Sequence, residues 1–93
     1  MIIGTWSGAA ANYYDNLIPF SEPITLNDDA TGTFKLSDTY DFLWWFEKKT
    51  DDSTYVYDVF GEFGFAYLIY DKESGTLALG FTENLIIFYE NKH

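Results

Sequence analysis

The stretch that decides the fold runs from residue 41 to residue 70 and reads DFLWWFEKKTDDSTYVYDVFGEFGFAYLIY. Apolar side chains recur at every second position along it, in the rows Phe42/Trp44/Phe46, Tyr55/Tyr57/Val59 and Phe65/Tyr67/Ile69. The polar residues 50–53 separate the first two rows and are typical of a turn. Because successive side chains of a strand point to opposite faces, this period of two predicts consecutive antiparallel strands with one buried face.

The same alternation continues on both sides of this stretch, with polar turns at residues 27–32 and 71–75. We predict strands at residues 2–8, 23–27, 32–37, 41–49, 54–60, 63–70, 76–81 and 85–90. Seven or eight such strands fold either as a two-sheet sandwich or as a small barrel, and closure removes the free edges. The sequence therefore predicts one all-β domain over residues 1–93, a small up-and-down antiparallel β-barrel of about eight strands.

Residues 9–17 differ from the rest of the chain, because three alanines and Leu17 precede Pro19. Alanine favours a helix, and proline ends one. We predict one short helix or turn here, after the first strand.

Charge limits the kinds of partner. The 93 residues carry five Lys plus Arg against 15 Asp plus Glu, a net charge of −10, and all five cations are lysines. Direct binding to nucleic acid is not expected, since that affinity comes mainly from Lys and Arg on phosphates. The same sign argues against an anionic membrane surface. No secretory signal is visible at the N-terminus, so we expect a cytoplasmic protein.

Groups suited to catalysis are scarce. Cysteine is absent, and the single histidine is the C-terminal His93. Carboxylate pairs such as Asp41 with Glu47 or Asp58 with Glu62 suit acid and base chemistry in principle. They are also expected by chance among fifteen acids. We predict that the protein is not an enzyme and holds no cofactor.

One segment matches part of a calcium-binding loop. Its oxygen-bearing residues have the spacing of EF-hand positions 1, 3, 5, 6 and 12, at Asn27, Asp29, Thr31, Gly32 and Asp38. An EF-hand needs flanking helices, however, and this segment lies between two predicted strands. A hairpin turn is the better interpretation, and no metal site is predicted.

The opening Gly4-Thr5-Trp6-Ser7-Gly8 resembles the G-x-W motif of lipocalin and calycin barrels, in which the tryptophan of the first strand closes the barrel base. Residues 24–26, 29–34, 42–44 and 77–79 continue the resemblance in the order found in compact bacterial lipocalin-like domains. The resemblance implies a barrel with Trp6 at its base and carriage of a small ligand. Lipocalins commonly place an arginine over this tryptophan, whereas here Lys92 is the only cation nearby.

The acidic residues are concentrated in the predicted turns. In an up-and-down barrel the turns after alternate strands share one end, which brings together Asp28, Asp29, Asp51, Asp52, Asp71 and Glu73. A second apolar face is also predicted, with rows Leu43/Trp45, Ala66/Leu68/Tyr70 and Ile86/Phe88. These features indicate either a solubilising surface or a surface that steers a basic protein.

Three functions remain open at this point. The first is an inhibitor or immunity-type protein that occludes the basic surface of a partner such as a nuclease toxin, with Trp45, Tyr13 and Tyr14 as anchors. The second is a lipocalin-like binder of a small apolar ligand, whose cavity walls are predicted to be Trp6, Phe34, Trp44, Tyr57, Tyr67 and Phe81. The third is a structural or homodimeric module. We favour the first hypothesis because of the acidity and the surplus of aromatic residues.

Overall fold

The chain folds into β-strands joined by short turns, as described by a computed structural model of residues 2–91. The strands are β1 (Gly4–Tyr13), β2 (Asn16–Pro19), β3 (Ile24–Leu26), β4 (Thr31–Lys35), β5 (Thr39–Lys49), β6 (Thr54–Gly61), β7 (Gly64–Asp71), β8 (Thr76–Thr82) and β9 (Leu85–Glu90). Within these residues, no helix has the length and hydropathy needed to cross a bilayer. The all-β prediction is confirmed.

The sheet closes on itself because β1 is paired along both edges. One edge pairs with β3 through residues 4–6, and the other pairs with β9 through residues 7–13. Between these two neighbours the strands follow chain order from β3 to β9, and every pair is antiparallel. Eight strands therefore form a closed up-and-down barrel, and the sandwich is excluded.

The additional strand, β2, continues the edge of β1 on which β3 pairs, so β2 and β3 act as one interrupted strand. Pro19 pairs with Ala10, and Ile24 pairs with Trp6. The chain therefore advances five residues from Pro19 to Ile24 while β1 spans only four, from Trp6 to Ala10. The connecting segment passes close to Gly8, where an added Cβ would lie 2.5 Å from a backbone oxygen of that segment. Glycine at position 8 therefore makes room for the extra residue.

Of the predicted short helix or turn over residues 9–17, the helix is absent and the turn is confined to two residues. β1 continues to Tyr13, and Tyr14 and Asp15, with φ of 47° and 64°, form a two-residue turn into β2. Alanine favours a helix only weakly, whereas residues 10–13 pair with β9 on one side and β2 on the other. Tertiary pairing overrides the local preference.

The turns alternate between two ends of the barrel. The lower end carries the β3–β4, β5–β6 and β7–β8 turns, and the upper end carries the β1–β2, β4–β5, β6–β7 and β8–β9 turns. A backbone hydrogen bond of 2.8 Å from Lys72 N to Ser53 O joins two lower turns. Another of 2.9 Å from Tyr14 N to Asn84 O joins two upper turns.

The side of β7 that points into the barrel is the opposite of the one predicted. Ala66 and Leu68 are buried, while Phe65, Tyr67 and Ile69 are exposed. Both faces of this strand are apolar, so its alternation does not say which face is inside. The hairpin decides, because Val59 is buried and directly opposes Ala66, and directly opposed side chains share a face.

Apolar rings fill the interior of the barrel. Trp6, Tyr89 and Phe34 are the largest fully buried side chains. The indole Nε1 of Trp6 donates a hydrogen bond of 2.8 Å to the carbonyl oxygen of Ile2. The Phe34 ring centroid lies 5.3–5.9 Å from those of four further rings, Tyr40, Phe42, Phe63 and Phe81.

Five of the six side chains predicted to line a ligand cavity lie on the inside. Trp6, Phe34 and Trp44 are buried, and Tyr57 and Phe81 are half-buried against the core. The Trp44 and Tyr57 rings are in edge contact, with centroids 5.5 Å apart. The sixth residue, Tyr67, lies on the outside. A ligand inside the barrel would have to separate rings that pack against one another.

Candidate protein-binding surface

The outer side of β5, β6 and β7 is apolar. Its side chains define the outer apolar face, which consists of Leu43, Trp45, Val56, Phe60, Phe65, Tyr67 and Ile69. Cross-strand pairing produces this surface, since Phe60 directly opposes both Leu43 on β5 and Phe65 on β7. The Phe60 and Phe65 ring centroids are 4.8 Å apart, yet Phe65 is 71% exposed. Paired aromatic side chains left in contact with water are typical of an interaction surface.

The apolar character is confined to part of the barrel wall. The row through Ile69 continues across Ala78 on β8 to Phe88 on β9. On the other side, the outer positions of β1, β3 and β4 hold threonines, and the Thr5 and Thr25 hydroxyl oxygens are 3.0 Å apart. The barrel therefore has an apolar side and a hydroxyl-lined side.

Two grooves adjoin the outer apolar face, and two carboxylates line each of them. The first has a volume of about 450 Å³ and lies where this face meets β4, lined by Leu43 and Phe60 of the face, by Thr31 and Thr33 of β4, and by Asp41 and Glu62. The second, of about 510 Å³, lies over β5, β6 and β7. Its lining combines the apolar Val56, Tyr67 and Ile69 with Glu47, Asp58, Lys48 and Thr50.

Glu47 and Asp58 form a carboxyl pair in the second groove. Glu47 lies in a β-bulge of β5, where the pairing with β6 shifts between Phe46 and Lys48. A hydrogen bond with Asp58 and repulsion between the two carboxylates raise the pKa of Glu47 above its ordinary value. The two carboxylates therefore repel each other when both are ionised.

Glu47→Gln is expected to raise the melting temperature at pH 7. A carboxyl whose pKa is raised by folding stabilises the fold fully only below its unfolded pKa, near 4.5, and loses this contribution as pH rises through the folded pKa. Glutamine removes the repulsion and keeps a donor for Asp58. Thermal unfolding of both proteins from pH 3 to pH 8 should show a difference that shrinks at acid pH. Glu83→Gln, in an exposed turn, is the control, and a lower melting temperature of Glu47→Gln at pH 7 would contradict this reasoning.

Three acids of the lower turns have structural roles. Oδ1 of Asp51 accepts hydrogen bonds of 2.9 Å from the backbone N–H groups of both Ser53 and Thr54. Asp71 accepts one of 3.0 Å from Glu73 N, and Asp29 accepts one of 3.1 Å from Thr31 N. The Thr31 hydroxyl also donates a hydrogen bond to Asp29, and this bond together with the one from Thr31 N lowers the pKa of Asp29. The hydrogen bond from Ser53 N lowers the pKa of Asp51.

The other three predicted acids, Asp28, Asp52 and Glu73, are exposed in the same turns. All six therefore lie at the lower end, but they form two groups. The hydrogen bond between Lys72 and Ser53 joins the turns that hold Asp51, Asp52, Asp71 and Glu73. The turn with Asp28 and Asp29 lies higher up the wall, because Ala30 accepts a hydrogen bond from Trp44 N and β5 continues to Lys49.

The three predicted aromatic anchors lie on two different surfaces. Trp45 is 43% exposed on the outer apolar face, opposite Asp58. Tyr13 and Tyr14 are exposed at the upper end, with ring centroids 4.6 Å apart. The tyrosines and the acidic lower turns are therefore at opposite ends, so we do not include Tyr13 and Tyr14 in the proposed binding surface. The sequence did not reveal the path of residues 9–17, which were predicted to form a short helix or turn.

The acidic residues considered together from the sequence, as carboxylate pairs or as a calcium-like loop, lie apart in the fold. Asp41 and Glu62 line one groove, and Glu47 and Asp58 line the other, so the example pairs considered from the sequence, Asp41 with Glu47 and Asp58 with Glu62, do not share a groove. Asp38 is at the upper end, away from Asp29 at the lower end. Among residues 2–91, there is no place where three or more Asp, Glu or His side chains come close enough to bind one metal ion. Lys92 and His93 lie outside the described residues.

Comparison with protein-family models, with curated proteins and with solved structures gave no match to this chain. The resemblance to lipocalins therefore extends to the barrel architecture alone. The chain is a small closed eight-strand antiparallel barrel, compatible with a calycin or lipocalin-like fold, with Trp6 of β1 buried inside.

Proposed function

We propose that this protein is a non-enzymatic inhibitor or immunity-type protein that covers the basic surface of another protein, such as a nuclease toxin, in the cytoplasm. The observation that carries the proposal is the joined pair of acidic turns at the lower end. There Asp51, Asp52, Asp71 and Glu73 lie in two turns linked by a backbone hydrogen bond, with Lys72 among them and Lys49 at the end of β5, directly before the first turn.

Long-range attraction explains how such a surface would act. A nuclease collects Lys and Arg side chains to bind phosphates, and a clustered negative surface speeds encounter with them. Once docked, the barrel would exclude nucleic acid from the basic surface by occupying it. Acidity alone also improves solubility, so the proposal needs a partner with matching charge.

Salt dependence tests this proposal. The tagged chain is used to isolate its partner from the cells that produce it, and the purified pair is studied by stopped-flow at 50 and 500 mM salt. We expect a basic partner and an association rate at least about tenfold slower at high salt. The double variant Asp52→Lys/Glu73→Lys should slow association further without breaking the turn hydrogen bonds.

Asp38→Lys/Glu83→Lys, in the β4–β5 and β8–β9 turns at the upper end, is the matched control, because it reverses two acidic charges in exposed turns as the test variant does. An acidic partner, or an affinity that is the same at both salt concentrations, would refute the proposed function.

We also propose that the barrel belongs with the lipocalin-like domains. The buried Trp6 in the Gly4-Thr5-Trp6 opening supports this, as does the contact of its ring with Tyr70 at 5.7 Å between centroids.

A further inference from the structure

Negative charge predominates in the two grooves at the outer apolar face. Their lining contains four carboxylates, those of Asp41, Glu47, Asp58 and Glu62, and one ammonium group, that of Lys48. Among residues 2–91, the one ion pair joins Lys35 to Glu22, which lie elsewhere on the barrel. The carboxylates of the outer apolar face thus have no salt-bridge partner within the described chain.

We propose that the outer apolar face docks a cationic protein, whose Arg or Lys side chains lie in the two grooves with their charged ends at the carboxylate pairs. This inference rests on the proposed function and names the surface that makes the contact. It differs from the acidic lower turns, which attract the partner from a distance but have few apolar side chains to bury.

The chemistry of the grooves fits long basic side chains. Such a side chain has an apolar stem and a charged end. In the second groove, Val56 and Ile69 would contact the stem, and the Tyr67 ring would face the cation. The Glu47 and Asp58 carboxylates would receive the charged end. A guanidinium placed between them would replace mutual repulsion by charge-assisted hydrogen bonds.

The same charges argue against a second copy as the occupant. A two-fold dimer built on this face would bring each carboxylate pair close to the identical face of its partner. The chain has a net charge of −10, so this contact would place like charges together at an interface that excludes water. A cationic partner relieves that repulsion instead of increasing it.

Photo-crosslinking in the cells that produce the protein tests the docking surface. The full chain carries p-benzoylphenylalanine in place of Phe65 on the outer apolar face, of Lys72 in the acidic turns, or of Tyr14 at the upper end. Phe65 and Tyr14 are both exposed aromatic residues, at 71% and 58%, so Tyr14 is the matched control. Crosslinked proteins are identified by mass spectrometry.

We expect the Phe65 position to crosslink to a basic protein and the Tyr14 position not to do so. The affinity of the purified pair should then fall about tenfold or more in each of Phe65→Ala and Asp58→Asn. Tyr14→Ala should leave the affinity unchanged.

Several results would overturn the docking surface. One is a crosslink from position 65 to a second copy of the chain or to a non-basic protein. Another is an affinity that is unchanged in both Phe65→Ala and Asp58→Asn. A basic protein crosslinked from position 72 alone would overturn the docking surface and keep the proposed function. Absence of a basic partner at all three positions would overturn both.

Discussion

Trp6→Ala is expected to lower the free energy of unfolding by about 3–5 kcal/mol, the range for removing a large aromatic side chain from a core. Trp6 is 1% exposed and its indole donates a hydrogen bond of 2.8 Å to Ile2. Its ring also contacts Tyr70, so alanine would leave a cavity and an unpaired carbonyl group. A small domain is stabilised by about 5–15 kcal/mol in total, so a large part of the stability would be lost.

Urea unfolding monitored by circular dichroism measures this difference. Trp45→Ala is the control, because it removes the same side chain from a position that is 43% exposed. Its loss should be clearly smaller. Trp6→Phe should lie between Trp6→Ala and the unmodified protein, since it keeps a ring in the core but not the indole N–H. Equal losses in Trp6→Ala and Trp45→Ala would contradict the burial of Trp6.

Leu68→Ala is expected to cost about 2–5 kcal/mol, whereas Ile69→Ala should cost much less. The two positions are neighbours on β7 and have side chains of nearly equal size. Leu68 is 0% exposed and Ile69 is 37% exposed, because the hairpin with β6 places Leu68 opposite Tyr57 inside the barrel. The comparison therefore measures which face of β7 is inside.

The same urea titrations apply to this pair, and equal slopes with denaturant would show that both variants unfold from a similar native state. Ala66→Ser and Phe65→Ser extend the test along the strand, with the larger loss expected at the buried position 66. If Ile69→Ala were more destabilising than Leu68→Ala, the orientation predicted from the alternation would be correct and that of the structure wrong.

Much of the fold follows from local sequence. Strand positions were predictable wherever apolar and polar residues alternate, as along residues 23–27, and wherever a polar turn interrupts the pattern, as at residues 50–53. The position of the six turn acids at the lower end followed from the up-and-down order, whereas their division into two groups did not. Strand and turn positions depend only on neighbours in the chain.

The candidate binding surface was harder to predict from the sequence than the strands were. Trp45 and Leu43 were predicted on an outer face, but Phe65, Tyr67 and Ile69 were assigned to the interior, so the full extent of the outer apolar face was hidden. The pairing of Glu47 with Asp58 also required the bulge in β5, which the sequence does not mark. Each of these depends on which residue of a neighbouring strand stands opposite.

The sequence by itself determined that this chain is an acidic all-β domain of antiparallel strands, because alternation and turn chemistry act over a few residues. Only the tertiary structure decided three other features: the path of residues 9–17, the face that β7 turns inward, and the partners of the carboxylates. The physical reason is that local preferences are too weak in both cases. A strand with two apolar faces has no preference for which face is buried, and a run of alanines favours a helix over a strand only slightly. Pairing with β9, β2 and β6 makes that choice through backbone hydrogen bonds and burial in a closed barrel.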